Sequence, residues 1–164
     1  MKTDSVILTK NTLNRRSLNL ILLFIIGVTT AGCTLYNRAR DVALGPIPLT
    51  GFADGAHHWY DINDQDKVIE PMPNQPLYKP EEYEKIADNI LLFQKSNGRW
   101  PKNYDVQAVL TEEQKGAVKQ SVDALTSCFD NGATHSHMMY LGEVIARKSL
   151  PKYRNAFDKG LKYI

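Results

Sequence analysis

An all-α domain is the fold class that this 164-residue sequence predicts. Two observations predict it. From residue 80 onwards, apolar residues recur with helical spacing in four successive stretches, and recognisable start and stop residues punctuate those stretches. The composition agrees: 43% hydrophobic and 23% charged residues are an ordinary globular mixture, of a length that suits about one domain.

The chain opens with a segment that reads as targeting rather than fold. Arg15-Arg16 precede the apolar run Leu18 to Val28, and small residues and a cysteine follow as Ala31-Gly32-Cys33. This is the charged, apolar and small-residue order of a secretory signal, and its apolar part is shorter than the roughly 20 residues of a membrane span. Ala-Gly-Cys resembles a bacterial lipoprotein box, so residues 1–32 are expected to be a lipoprotein-type signal peptide and Cys33 the lipid-bearing residue. A plain signal peptide or an uncleaved anchor is the rival reading. A weak twin-arginine likeness lacks the polar residues that extend that motif. Thr34 after the cysteine leans towards the outer membrane or cell surface. With Cys33 lipidated, Cys128 has no partner and reads as a small buried apolar residue.

Residues 33–52 read as a tether, and the irregular lead-in continues to Pro80. Prolines 46, 48, 71, 73, 76 and 80 interrupt regular structure there. Gly51 to Asp66, with Trp59-Tyr60 at its centre, is expected to form ordered loops with at most one short strand. Pro80 or Glu81 then begins a helix with acids in its first turn. Tyr83, Ile86, Ala87, Ile90 and Leu91 form its stripe, and Asn97-Gly98 is its expected stop. Thr111-Glu112-Glu113-Gln114 is a capping box opening a second helix to about Ala124. A third is expected from Ala133 to Lys148, with His137, Leu141, Val144 and Ile145 on one face. Pro151 starts a fourth, striped by Tyr153, Ala156, Phe157, Leu161 and Ile164. The loops 97–105 and 130–134 both fall at helix ends. In a helical toroid such ends can share one face and make a groove.

Charge excludes one class of partner. Residues 1–32 hold four basic residues against one acid, leaving 16 basic and 17 acidic residues in the rest of the chain. No basic patch stands above that balance, so nucleic acid is not an expected partner. A polyanion bound through local lysines or a metal ion remains compatible with it. No phosphate loop, G-x-S-x-G elbow or EF-hand spacing is present. His57-His58 and His135-x-His137 do not place ligands on one helix face, which argues against zinc. His135 reads as a surface or groove residue and His137 as a core-edge one.

Two motifs carry chemistry. Asn97-Gly98-Arg99-Trp100-Pro101-Lys102-Asn103-Tyr104 combines aromatic planes with amide and cationic donors, which suits a sugar: apolar on one face, hydroxylated at the rim, and bearing a carboxylate if it is a uronate. The bland reading is that Trp100 and Tyr104 cap the core while Lys102 is solvated. Asp130-Asn131-Gly132-Ala133-Thr134 reads equally as a helix N-cap or as a carboxylate offered to Ca2+.

These two runs, with Ala53 to Tyr60 and Tyr78-Lys79-Pro80, resemble the opening of a pectate lyase of polysaccharide lyase family 10, over residues 53–164. The resemblance implies a partial α/α toroid and calcium-dependent β-elimination of polygalacturonate. It implies that Asp130 holds Ca2+ and that Trp100, Lys102 and Asn131 hold substrate. Arg99 stands where the family has glycine. The family's catalytic arginine, remaining calcium acids and second Trp-Pro loop are expected beyond Ile164, so the resemblance implies an N-terminal portion, inactive by itself; a monomer is expected. The competing expectations are a lipid-anchored protein that binds acidic polysaccharide without cleaving it, and a purely structural lipoprotein.

Overall fold

The structure is a computed structural model that describes residues 44–62, 66–125 and 129–164. The expected signal peptide and most of the tether, with Cys33, lie outside the described residues, as does Cys128. Gly45–Ile164 is a compact helical unit. A single 3-10 turn, Thr50–Phe52, runs directly into α1 (Ala53–Tyr60). Then come α2 (Tyr83–Phe93), α3 (Glu112–Gln120), α4 (His135–Arg147) and α5 (Pro151–Tyr163). No strand is present among the described residues; Leu77 and Ala108 form an isolated antiparallel bridge. The all-α expectation holds. Among the described residues no helix is long and apolar enough to cross a membrane.

Helix α2 is the centre of the packing and touches α3, α4 and α5, while α4 and α5 pack most extensively on each other. Of its predicted stripe, Tyr83, Ile86, Ala87 and Ile90 are in the core and Leu91 is partly buried against it, while Phe93 joins the core as well. Facing it are His137, Leu141, Val144 and Ile145 of α4, and Tyr153 and Ala156 of α5. Pro151 opens α5, where its missing N–H costs nothing. The capping box of α3 is complete: Gln114 N–H donates to Thr111 Oγ1 (3.1 Å) and Thr111 N–H donates to Gln114 Oε1 (3.0 Å).

Several boundaries differ from the sequence reading. The Gly- and Asp-rich stretch expected as loop is helix α1, because Trp59 is fully buried and its indole N–H donates to Ile69 O (2.8 Å). Burying one large ring against the lead-in overrides weak local propensity. Helix α2 starts at Tyr83 rather than Pro80, since Glu82 carboxylate accepts from Lys79 N–H (2.8 Å) and closes a turn ahead of it. It ends at Phe93, before Asn97-Gly98. Gln94 is extended, and Gly98 sits at φ +91 in a separate turn. Helix α3 ends at Gln120, where Lys95 Nζ donates to Ser121 O (2.7 Å) and so takes up a terminal carbonyl.

The long loop 94–111 is held by side chains rather than by a sheet. Asn89 of α2 is buried and donates to Val106 O (3.0 Å) and Ala108 O (2.7 Å). Gln94 donates to Gly98 O (2.9 Å) and to Ala156 O (2.8 Å), tying the loop to α5. A Cβ on Gly98 would stand 2.3 Å from Lys159 O, so the loop backbone lies directly on α5.

Candidate functional site

The two motif loops meet. Asp130 does not cap a helix; its carbonyl accepts from Ala133 N–H (2.9 Å) across a turn with positive φ at both Asn131 (φ 51) and Gly132 (φ 73). This is the pattern of a type I′ turn, for which Asn-Gly is a favoured pair. A second, rarer turn follows. Thr134 has φ 62 and ψ −61, and His135 N–H donates to Ala133 O (2.8 Å). These are the dihedrals and the bond of the strained γ-turn, here on a fully buried β-branched residue. Such strain persists only where surroundings over-determine it, and it concentrates at functional sites. Here Trp100 N–H donates to Thr134 Oγ1 (3.4 Å), so the first loop braces the second.

Gly132 is required twice over. Its φ is +73, and a Cβ there would stand 2.2 Å from Gly51 O, a backbone atom. Gly132→Ala is expected to destabilise the fold by at least about 2 kcal/mol, adding a left-handed penalty of roughly 1–2 kcal/mol to the clash. Urea unfolding measures it; an unchanged midpoint would show that the turn is not held as described.

A shallow cleft opens between these loops and α1, lined by Gly55, Lys102, Asn103, Tyr104, Asn131 and His137 among others. Lys102 Nζ lies between two carboxylates, 3.3 Å from Asp130 Oδ2 and 3.4 Å from Asp66 Oδ2. Those acids, Asp130 first, raise the lysine's pKa, so it stays cationic. Both carboxylates are largely exposed, so each pair contributes little to stability, on the order of 0–1 kcal/mol.

Asn131 gathers the other side of the cluster. Its amide faces Asp54 Oδ2 at 3.0 Å and Asp130 Oδ1 at 3.3 Å, and its opposite atom lies 2.8 Å from the Asn103 amide. With Nδ2 turned to the carboxylates, both accept hydrogen bonds. With Oδ1 turned to them, three oxygens face one another, an arrangement that a cation satisfies.

Beneath the cleft is a stack of rings. Trp100 lies parallel to His137 (5.3 Å, 6°), and Tyr104 stacks on Phe93 (3.7 Å, 13°). Tyr104 Oη and His137 Nε2 are 2.6 Å apart, both groups buried. Burial holds the Tyr104 hydroxyl protonated and lowers the His137 pKa from 6.5 to about 3. His137 Nδ1 is buried with no hydrogen-bond partner.

The structure thus brings Lys102 and Asn131 to the cleft lining, with Asp130 paired to Lys102 beside it. Trp100 is placed differently from the substrate-facing expectation: it is fully buried, and its indole N–H donates to Ile90 O (2.7 Å). Its ring supports the cleft floor instead of presenting a face to a sugar. Tyr104 and His137 are likewise part of that floor, and His135 is exposed. Sequence reasoning set Asp54 and Asp66 aside as calcium acids because EF-hand spacing is absent, and so did not join them to this cluster. The available signal was the segment Ala53-Asp54-Gly55-Ala56, already singled out, whose helical turn carries Asp54 to the cleft.

Residues 94–164 match the family model described as pectic acid lyase. The match spans both motif loops and helices α3 to α5, and leaves α1, Asp54 and Asp66 outside it. That stretch is similar to the pectate lyases at the level of the family. No curated protein and no solved structure matches the chain.

Proposed function

We propose that the cleft is the substrate-holding part of a pectate lyase site, one that takes polygalacturonate and serves its cleavage by calcium-dependent β-elimination. One observation carries this reading. The stretch similar to pectic acid lyases contains the two loops that meet at Lys102, Asp130 and Asn131. Polygalacturonate offers one carboxylate per sugar, and a lysine held cationic beside the cleft attracts it as a point charge. Asp130, Asp66 and Asp54 outnumber Lys102 in this cluster, so its net charge is negative, and calcium would offset that charge when a polyanion binds.

Calcium fits this donor set in part. Asp130, Asp54 and the Asn131 carbonyl oxygen would hold it, three of the six to eight oxygens that calcium takes. Among the described residues no group of three or more His, Cys, Asp or Glu side chains converges, so the ion would lean on substrate and water for the remainder. When bound it would withdraw charge from the uronate carboxylate and make the adjacent C5 proton more acidic. The chain's own residues bind and orient: Lys102 attracts the carboxylate, and Asn131 lines the cleft beside it.

Polygalacturonate affinity is therefore expected to rise with calcium and fall when a chelator is added. Lys102→Met is expected to weaken binding about tenfold, the worth of one charged hydrogen bond. Asp130→Asn is expected to remove the calcium dependence while leaving the fold intact. Titration calorimetry reads all three, and a folded chain with no affinity in either condition would sink the proposal.

A second reading has its own observation. Arg99 lies on the Tyr163 ring and Arg147 donates to Gly45 O, so neither stands in the cleft as a base. The chain could then hold acidic polysaccharide without cleaving it, tethered through a lipid on Cys33 and exported to the outer membrane or cell surface. Release of unsaturated oligogalacturonate decides between the two. Labelled palmitate incorporation that vanishes in Cys33→Ala tests the anchor.

A further inference from the structure

Phe129 is large, apolar and 52% exposed, yet it directly precedes the cleft carboxylate of Asp130. It is not a loose side chain. Its ring stacks on Tyr163 at the end of α5 (5.4 Å, 17°). The guanidinium carbon of Arg99 in turn lies 3.7 Å from the centre of the Tyr163 ring. Three separate segments therefore build one cation–aromatic stack.

That stack is seated on α5. The loop carrying Arg99 lies on α5, where a Cβ on Gly98 would meet Lys159 O. On the other side of Arg99, Trp100 presses on Gly160 from within the core. The stack also shares its backbone with the cleft: Arg99 is three residues from Lys102, and Phe129 is one residue from Asp130, about 3.8 Å between Cα atoms.

We infer that Phe129, braced by Tyr163 and Arg99, is a stacking platform for a uronate unit lying just outside the cleft. The inference rests on the galacturonan reading above and adds a binding position to it. The chemistry selects the occupant. A galacturonate ring has one apolar C–H face, which the exposed aromatic ring can cover, and a carboxylate, which the guanidinium attracts more specifically than an ammonium would. A purely apolar partner would have no use for the arginine. A polyanion lacking an apolar face would have no use for Phe129.

The test compares oligogalacturonates of increasing length on the intact chain and on Phe129→Ala, with calorimetry for affinity and thermal unfolding as the control. Phe129→Ala is expected to unfold at the same temperature, because half its surface is already in water. It is expected to bind long oligomers about tenfold more weakly and short ones, which occupy the cleft alone, with unchanged affinity. Phe129→Tyr should restore the long-oligomer affinity. Equal affinity of Phe129→Ala and the unsubstituted chain at every length overturns the platform and leaves the cleft reading standing. If the unsubstituted chain binds no galacturonan, the cleft reading fails and the platform with it. If the chain is a dimer by sedimentation that Phe129→Ala dissociates without loss of affinity, the ring serves a second copy and the platform is overturned.

Discussion

Trp100→Ala is expected to destabilise the domain far more than truncation of the half-exposed Phe129. The side chain is fully buried, its indole nitrogen donates to Ile90 O at 2.7 Å, and its ring lies against both His137 and Gly160. Truncating a buried tryptophan costs about 3–5 kcal/mol, against a total stability of roughly 5–15 kcal/mol. The melting temperature should fall by roughly 10–20 °C. Trp100→Phe keeps most of the packing and strands the Ile90 carbonyl, and should cost about 1–3 kcal/mol. Galacturonan binding would vanish in Trp100→Ala because the cleft floor is gone, so lost affinity in that variant says nothing about sugar stacking. The opposite outcome is distinguishable: a melting temperature within 2 °C of the parent (inside the scatter of about 0.5 kcal/mol typical of surface substitutions), with binding abolished, would put the ring at the surface and overturn this packing.

The helices were legible because their signals are local. The Thr111 capping box, the proline at residue 151 and the 3.6-residue stripe of α2 each act within a few residues, and all three are found as read. What escaped depends on distant partners. Helix α1 exists because Trp59 reaches Ile69, and α2 stops short of Asn97-Gly98 because Gln94 turns to bond Gly98 O and Ala156 O. Asp130-Asn131-Gly132 suited an N-cap and an Asn-Gly turn equally well. The choice is made by Gly51, whose carbonyl lies where any Cβ at residue 132 would be. At the site, the charged and amide residues were legible by type, while Trp100 was misplaced. A tryptophan beside lysine and asparagine looks the same in sequence whether it faces a sugar or Ile90. Asp54 and Asp66 needed the fold of the lead-in to bring them near Lys102.

Acid should destabilise the protein well above the ordinary carboxylate range, and His137 is the reason. Its folded pKa is lowered from 6.5 to about 3, by burial first and by His135 second. Between those values the unfolded chain binds a proton that the folded chain refuses, so stability falls as pH falls through the window. The slope approaches 1.36 kcal/mol per pH unit, which gives about 2 kcal/mol lost between pH 6.5 and pH 5. The geometry supports the direction. A protonated imidazole needs two acceptors; Nε2 has Tyr104 Oη at 2.6 Å, while Nδ1 is buried with none. Asp105 works the other way, since burial raises its carboxyl pKa and favours the folded state as pH falls towards that value. Its window opens upward from 3.8, and across that window it opposes the loss from His137. Glu82 and Glu112 are held below 4.5 by neighbouring lysines and titrate beneath the window of interest. His137→Gln tests the assignment, because a glutamine can still accept from Tyr104 and does not titrate. Urea unfolding at pH 7 and pH 5 should show the parent losing about 2 kcal/mol and the variant losing much less. Equal losses in both proteins would move the acid sensitivity to another group. No loss in the parent would mean that the imidazole finds a second acceptor when it is charged.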